Sequence, residues 1–120
     1  MSLVDTPMMQ TLNRALDLTA LRQRLVSENI ANIDTPGYQT RDVDFRGELQ
    51  RALTAGEAEA SPVMIRTLAG LEQRPDGNNV NIDRESLLMA QNQLQFQTSV
   101  AVLRTEFSRL QLAINGGSSS

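Results

Sequence analysis

Residues 29–45 read NIANIDTPGYQTRDVDF. The stretch decides the fold because a helical pattern stops inside it and an extended one begins. Asn29 and Asn32 fall on the last turn of the upstream helix, where amide side chains can bond freed carbonyls and amides. Asp34 can close an Asx-type turn. Pro36 and Gly37 then take the central positions of a type II turn, since Gly accepts the positive φ required there. Tyr38, the single tyrosine, can fold its ring back on the helix end, and RDVDF alternates as a strand does. Such a segment fixes a sharp, reproducible exit from the helix. It is either a well-made helix stop or a docking surface that must look the same in every copy.

Upstream, residues 8–33 carry the helical pattern. Asp5 or Thr6 can cap it, with Pro7 at the first helical position, where its missing N–H costs nothing. The apolar residues fall into two stripes on a helix of 3.6 residues per turn. One holds Met8, Met9, Leu12, Leu16, Val26, Ile30 and Ile33; the other, nearly opposite, holds Leu18, Leu21 and Leu25. Two stripes imply neighbours on two sides.

Downstream, Asp83 is a good N-cap for a second long helix over residues 84–114, which contain no Pro or Gly. Phe96, Val100, Leu103, Phe107, Leu110 and Ile114 are spaced four, three, four, three, four, the period of a coiled-coil seam. Extended back, the seam reaches Gln93 and Met89. A weaker stripe holds Leu87, Leu94, Ala101 and Leu112. Gly116, Gly117 and the final serines should end the helix and fray.

Between the helices, residues 45–53 can form a short helix. TAGEAEASPV reads as a flexible loop, and VMIRTLAGLEQ as a strand or an irregular extended segment. RPDGNNVNID is turn chemistry, with Asp76 and Gly77 favouring a tight reversal. The expected organisation is one structural domain: residues 1–33 an N-terminal helix, 34–82 a loop and variable middle segment, and 83–120 a C-terminal helix with a flexible tail.

At 120 residues, with three Phe, one Tyr and no Trp, the chain suits helices packed side by side better than a globule with a large central core. Its net charge of −3 argues against nucleic acid, which needs clustered positive charge. All eleven basic residues are Arg, which suits carboxylate-rich interfaces but also follows from codon bias. Cysteine and histidine are both absent, removing thiolate chemistry, the commonest general base and the commonest metal ligand. No apolar run is long enough to span a bilayer. MSLVDTPMMQ shows no secretory signal features.

The chemical motifs fail one by one. DGNNVNID places Gly77, Asn81 and Leu87 at the second, sixth and twelfth positions of an EF-hand pattern that wants Gly at the sixth and Glu at the twelfth. Asp42 and Asp44 share a face of an extended segment, yet nothing nearby supplies a pocket for acid–base work. Ser and Thr nucleophiles have neither His nor Lys to activate them. The expectation is no enzyme, no metal and no cofactor.

NIANIDTPGY resembles the N-terminal signature of the axial proteins of the bacterial flagellum, A-N-x-x-T-P-G-Y. Ala31, Asn32, Thr35, Pro36, Gly37 and Tyr38 stand at its fixed positions, with Asn29 just upstream. The following DVDF, and DGNNVNIDRE before the last helix, are similar to the FlgB family of proximal rod proteins. Ser86, where that family often has Met, and Phe96, where Tyr is common, are mild departures.

The resemblance implies a mainly α fold, with long N- and C-terminal helices pairing as an α-helical coiled coil around a short irregular or extended middle. It implies a structural subunit that polymerises into the proximal rod, the drive shaft crossing the periplasm. The helix-packing seam would hold Leu12, Leu16, Val26 and Ile30 with Phe96, Val100, Leu103, Phe107, Leu110 and Ile114. Implied partners are further copies, other rod proteins, the adaptor joining the rod to the MS ring, and the flagellar type III export apparatus. Nucleic acid, small-molecule substrates and membrane insertion are not implied. Export without a cleaved signal is expected, and Phe45 and Leu49 in FRGEL fit the short Phe-x-x-x-apolar element of export substrates, though core packing explains both equally. The competing reading is a small helical export adaptor or chaperone that never enters a filament.

Overall fold

The computed structural model describes residues 6–55 and 62–118. Asp5, the alternative cap, lies outside them, as do most of the loop expected over 54–63 and the last two serines. Helix α1 spans Pro7–Ala31, strand β1 Arg41–Val43, helix α2 Phe45–Ala55, strand β2 Ile65–Thr67 and helix α3 Ile82–Ser118. Thr6 caps α1 by accepting from the Met9 N–H at 3.1 Å, with Pro7 directly following. Asp44 caps α2, its Oδ1 accepting from the Gly47 N–H at 3.2 Å.

The segment left open between strand and irregular backbone is a strand. β2 pairs antiparallel with β1, Arg41 opposite Thr67 and Val43 opposite Ile65. The cap of α3 differs from expectation. Asn81 Oδ1 accepts from the N–H groups of Asp83 and Arg84 at 2.9 and 3.1 Å, so Asn81 fills the role expected of Asp83, which sits in the first turn. At the other end α3 continues through Gly116 to Ser118; glycine weakens a helix without forbidding it.

Helices α1 and α3 run antiparallel, since Asn29 meets Glu85 while Thr19 meets Asn92. α3 is longer by twelve residues, 37 against 25, or roughly 18 Å at 1.5 Å per residue, and the molecule measures 71 × 27 × 17 Å.

Both stripes of α1 are used within the chain. Leu18 and Leu25 are fully buried with Val43, and Leu21, Phe45, Leu49, Val63 and Ile65 pack on them. The second stripe therefore faces the chain's own middle segment and not a separate neighbour. Leu12 and Val26 are buried on the face that carries Thr19 and Gln23 toward α3, with Leu16 and Ile30 half-buried beside them.

The α3 half of the expected seam is corrected. Phe96, Phe107 and Ile114 are 50%, 48% and 53% exposed, and Val100, Leu103 and Leu110 only half-buried. The residues that face inward are Glu85, Leu88, Asn92 and Ser99, with Gln95 half-buried among them. The four-three rhythm survives, shifted by one residue. One residue is about 100° of helix rotation, enough to turn the apolar seam off α1. Buried polar contacts set that rotation: Asn92 Nδ2 donates to Thr19 O at 2.8 Å and to Gln23 Oε1 at 3.2 Å.

Candidate functional site

At the end of the molecule where α1 stops and α3 starts, two loops clasp each other. The first leaves α1 by consecutive turns. Asn32 Nδ2 donates at 2.8 Å to Glu28 O, a last-turn carbonyl that also accepts the Asn32 N–H at 3.0 Å. The Thr35 N–H donates to Asn32 O at 3.0 Å and the Tyr38 N–H to Thr35 O at 3.2 Å. Pro36 and Gly37 occupy the centre of the second turn, with Gly37 at φ +77°, as its sequence predicts. Thr35 Oγ1 donates to Asn32 Oδ1 at 3.1 Å, a side-chain bond across the first turn.

The second loop, residues 74–81, is the clamp. Gly77 reverses it at φ +89°, closed by the Gly77 N–H to Arg74 O at 2.9 Å. Asn78 is fully buried and donates to Asn32 O and Thr35 O at 2.9 and 2.8 Å. Asn79 accepts from the Thr40 N–H at 2.6 Å and donates to Leu68 O at 2.9 Å, joining both strands' flanks. The Gly37 N–H donates to Asp76 O at 2.9 Å, and Arg74 also bonds Ile33 O. The two glycines face each other closely: a Cβ on Gly77 would sit 3.3 Å from Gly37 Cα.

Beneath the loops lies a polar hub around Asn29, which is 1% exposed. Its Nδ2 donates to Arg41 O at 2.9 Å and Glu85 Oε2 at 3.2 Å. Its Oδ1 accepts from the Tyr38 hydroxyl at 2.9 Å and the Arg41 N–H at 3.0 Å. All four hydrogen-bonding valences of the amide are filled. The Tyr38 ring thus folds back on the helix end, and burial raises its pKa above 10.0.

Charge completes the hub. Arg22 grips Asp42 bidentately at 3.1 and 3.0 Å, and Arg84 reaches Asp42 Oδ2 at 2.8 Å and Glu85 Oε1 at 2.7 Å. Burial alone would raise the Asp42 carboxyl. The Arg22 pair, the Val43 N–H and Arg84 outweigh it and hold the group below its ordinary value. Asp42 and Asp44 therefore share no acid–base chemistry: one is sealed in an ion-pair network and the other caps α2. Among the described residues no cluster of His, Cys, Asp or Glu could hold a metal ion, and no helix is long and apolar enough to cross a membrane.

Of the signature residues, Asn29, Asn32, Thr35, Gly37 and Tyr38 meet in this clasp, while Ala31, Pro36 and Gly37 present exposed faces. Phe45 and Leu49 lie on the first two turns of α2, half-buried against the core. Sequence reasoning missed Asn78, Asn79, Asp42, Arg22, Arg84 and Glu85 as hub residues. The run of asparagines in DGNNVNID was the visible signal, since buried amides are the natural partners for loop carbonyls.

The geometry locks two long helices at one end in a fixed relation. Comparison with known proteins points the same way. The family model described as flagella basal body rod protein matches residues 9–39, the span from α1 through the first loop. A flagellar basal body rod protein FlgB of Salmonella typhimurium is 35% identical, over 86% of this chain and 89% of its own. That of Escherichia coli K12 is 34% identical over 86% and 89%, and that of Bacillus subtilis 31% identical over 90% and 93%.

Proposed function

The chain belongs to the FlgB family of flagellar basal body rod proteins, and from that membership we propose that it works by polymerising into the proximal rod, the shaft that carries torque across the periplasm. It is a structural subunit of the basal body rod, and the reading assigns it no catalysis. The observation that carries the proposal is the match to rod proteins along nearly the whole chain, combined with apolar residues left outward on α3. Phe96, Phe107, Leu94 and Leu112 are large exposed hydrophobics on one helix, a liability for a free monomer and an asset in a packed cylinder.

The clasp fits that work. A drive shaft needs each subunit to present its two helices at one angle, and the Asn29 hub fixes that angle through buried, fully bonded polar groups. The exposed signature positions Ala31, Pro36 and Gly37 then offer neighbouring rod proteins an identical loop surface in every copy. Phe45 and Leu49 serve export in this reading. Packed against Leu18 and Leu25 in the folded chain, they become available to an export gate only when the chain is unfolded, which suits passage through a narrow type III channel without a cleaved signal.

Deletion and complementation test the proposal. Cells lacking the chain should assemble no complete rod and fail to swim, and the wild-type chain should restore both. Complete rods and motility without it would overturn the reading.

A further inference from the structure

Within α3, residues 86–103 contain no Asp, Glu, Arg or Lys: eighteen residues, SLLMAQNQLQFQTSVAVL, or about 27 Å of helix. Charge resumes on both flanks, at Arg84 and Glu85 before it and at Arg104, Glu106 and Arg109 after it. A helix with one face on a partner and the rest in water carries charge on its outer faces. α1 follows that rule, with Asp17 and Arg24 exposed. The uncharged part of α3 does not, although α1 covers only its Leu88–Asn92–Ser99 face.

Two different apolar features lie on the uncovered sides. The first is an open groove of about 360 Å³ between α1 and α3, lined by Ala20 and Gln23 on one wall and Met89, Asn92, Gln93 and Phe96 on the other. No charged residue lines it. The second is a ridge formed by Leu87 and Leu94, 59% and 64% exposed. On a helix of 3.6 residues per turn the ridge lies nearly opposite the Met89–Phe96 wall of the groove, roughly 160° away.

Groove and ridge match. Met89 and Phe96 are seven residues apart, as are Leu87 and Leu94, so both features repeat every ~10 Å along the same helix. A charged helix face laid into this groove would lose its water without gaining a partner, whereas the ridge brings uncharged neighbours at Ala90, Gln91, Gln97 and Thr98, with charge only at its N-terminal end, at Asp83 and Arg84. We propose that the Leu87–Leu94 ridge of one copy seats in the α1–α3 groove of a second copy. Because every subunit of one shaft points the same way, the two α3 helices are taken parallel, which offsets them by two residues, or about 3 Å. The contact is heterologous: ridge and groove sit on opposite sides of α3, so each copy bound leaves a free groove at one end and a free ridge at the other. Copies therefore add side by side into a ring or an open helical array. The inference rests on the rod reading for its setting, and adds which faces touch and in what order.

The absence of cysteine makes the test clean. Ala20→Cys and Leu94→Cys place one thiol on the groove wall and one on the ridge, both at exposed positions. Mild oxidation of basal bodies from cells producing the full-length double variant should yield a covalent ladder of this chain. Either single variant should yield no ladder and no dimer. Leu94→Arg, at a site too exposed to matter for monomer folding, should leave the helical circular dichroism of the purified chain unchanged and abolish its assembly and swimming.

Three results would overturn the contact. Leu94→Cys alone could give as much dimer as the pair, meaning a symmetric contact. The pair could stay monomeric in basal bodies that contain the chain. The adduct could have the mass of this chain joined to a different rod protein. Parallel oxidation of the concentrated purified chain separates this inference from the rod reading: a ladder there, with no chain in the basal bodies of swimming cells, rejects the rod and keeps the groove contact.

Discussion

Asn29→Asp changes one atom of the hub and inverts its hydrogen bonding. The substitution keeps the shape, so the Tyr38 hydroxyl and the Arg41 N–H still find an acceptor at 2.9 and 3.0 Å. The other side of the amide fails. An oxygen would replace the donor that now faces Arg41 O at 2.9 Å and Glu85 Oε2 at 3.2 Å. One neutral hydrogen bond and one to a charged group are lost, about 1 and 2 kcal/mol. Two carboxylates at a buried contact add at least another ~1 kcal/mol, the value that even the dielectric of bulk water would leave. The sum is about 4 kcal/mol. With a urea slope near 1.5 kcal/mol per molar, typical of a small domain, the unfolding midpoint should fall by about 2.5 M. Far-UV circular dichroism of the full chain measures it. The defect should shrink toward pH 4, where the introduced carboxylate takes up a proton and regains a donor. A midpoint shift below about 0.5 M, or a defect independent of pH, would refute the view that this amide holds the helix ends together.

Three further expectations follow from the same site. Gly77→Ala must adopt φ +89° with its Cβ 3.3 Å from Gly37 Cα; it should cost about 1–2 kcal/mol, a fall in Tm of roughly 5–10 °C by calorimetry. Asp42 has a depressed folded pKa, so its contribution to stability is present above its unfolded value of 3.8 and is lost as pH falls through the lower folded value. Acid denaturation curves should therefore be flatter below that point in Asp42→Asn, which starts from lower stability at neutral pH. Tyr38 is the single tyrosine and its pKa is raised by burial, so absorbance titration of the native chain should give a midpoint above 10.0, returning to the ordinary value in strong denaturant.

The parts of the fold legible in the sequence are those whose physics is local. Thr6 followed by Pro7 marks the start of α1 because the cap bond spans only three residues. Pro36 and Gly37 announce their turn because φ is a property of the residue itself. Residues 65–67 resist assignment because a three-residue strand exists only through its partner, and β1 lies more than twenty positions away. The rotation of α3 misleads for a related reason. Periodicity counts apolar residues, and the inward face of α3 is chosen by Glu85 and Asn92, polar groups whose partners sit on α1. The stripe of Leu18, Leu21 and Leu25 is visible as a stripe, but its cover, Val43 with Phe45 and Ile65, is assembled only by the turn at residues 35–38. Hub residues such as Asn78 and Asp42 look like solvated loop residues until the two loops meet.

Cryo-electron microscopy of purified basal bodies tests the central claim most directly. The account predicts density for this chain in the rod nearest the cytoplasmic end, with the uncharged turns of α3 enclosed by neighbours and Leu94 withdrawn from water. A rod built without this chain, or one in which Leu87 and Leu94 point into open solvent, would contradict it.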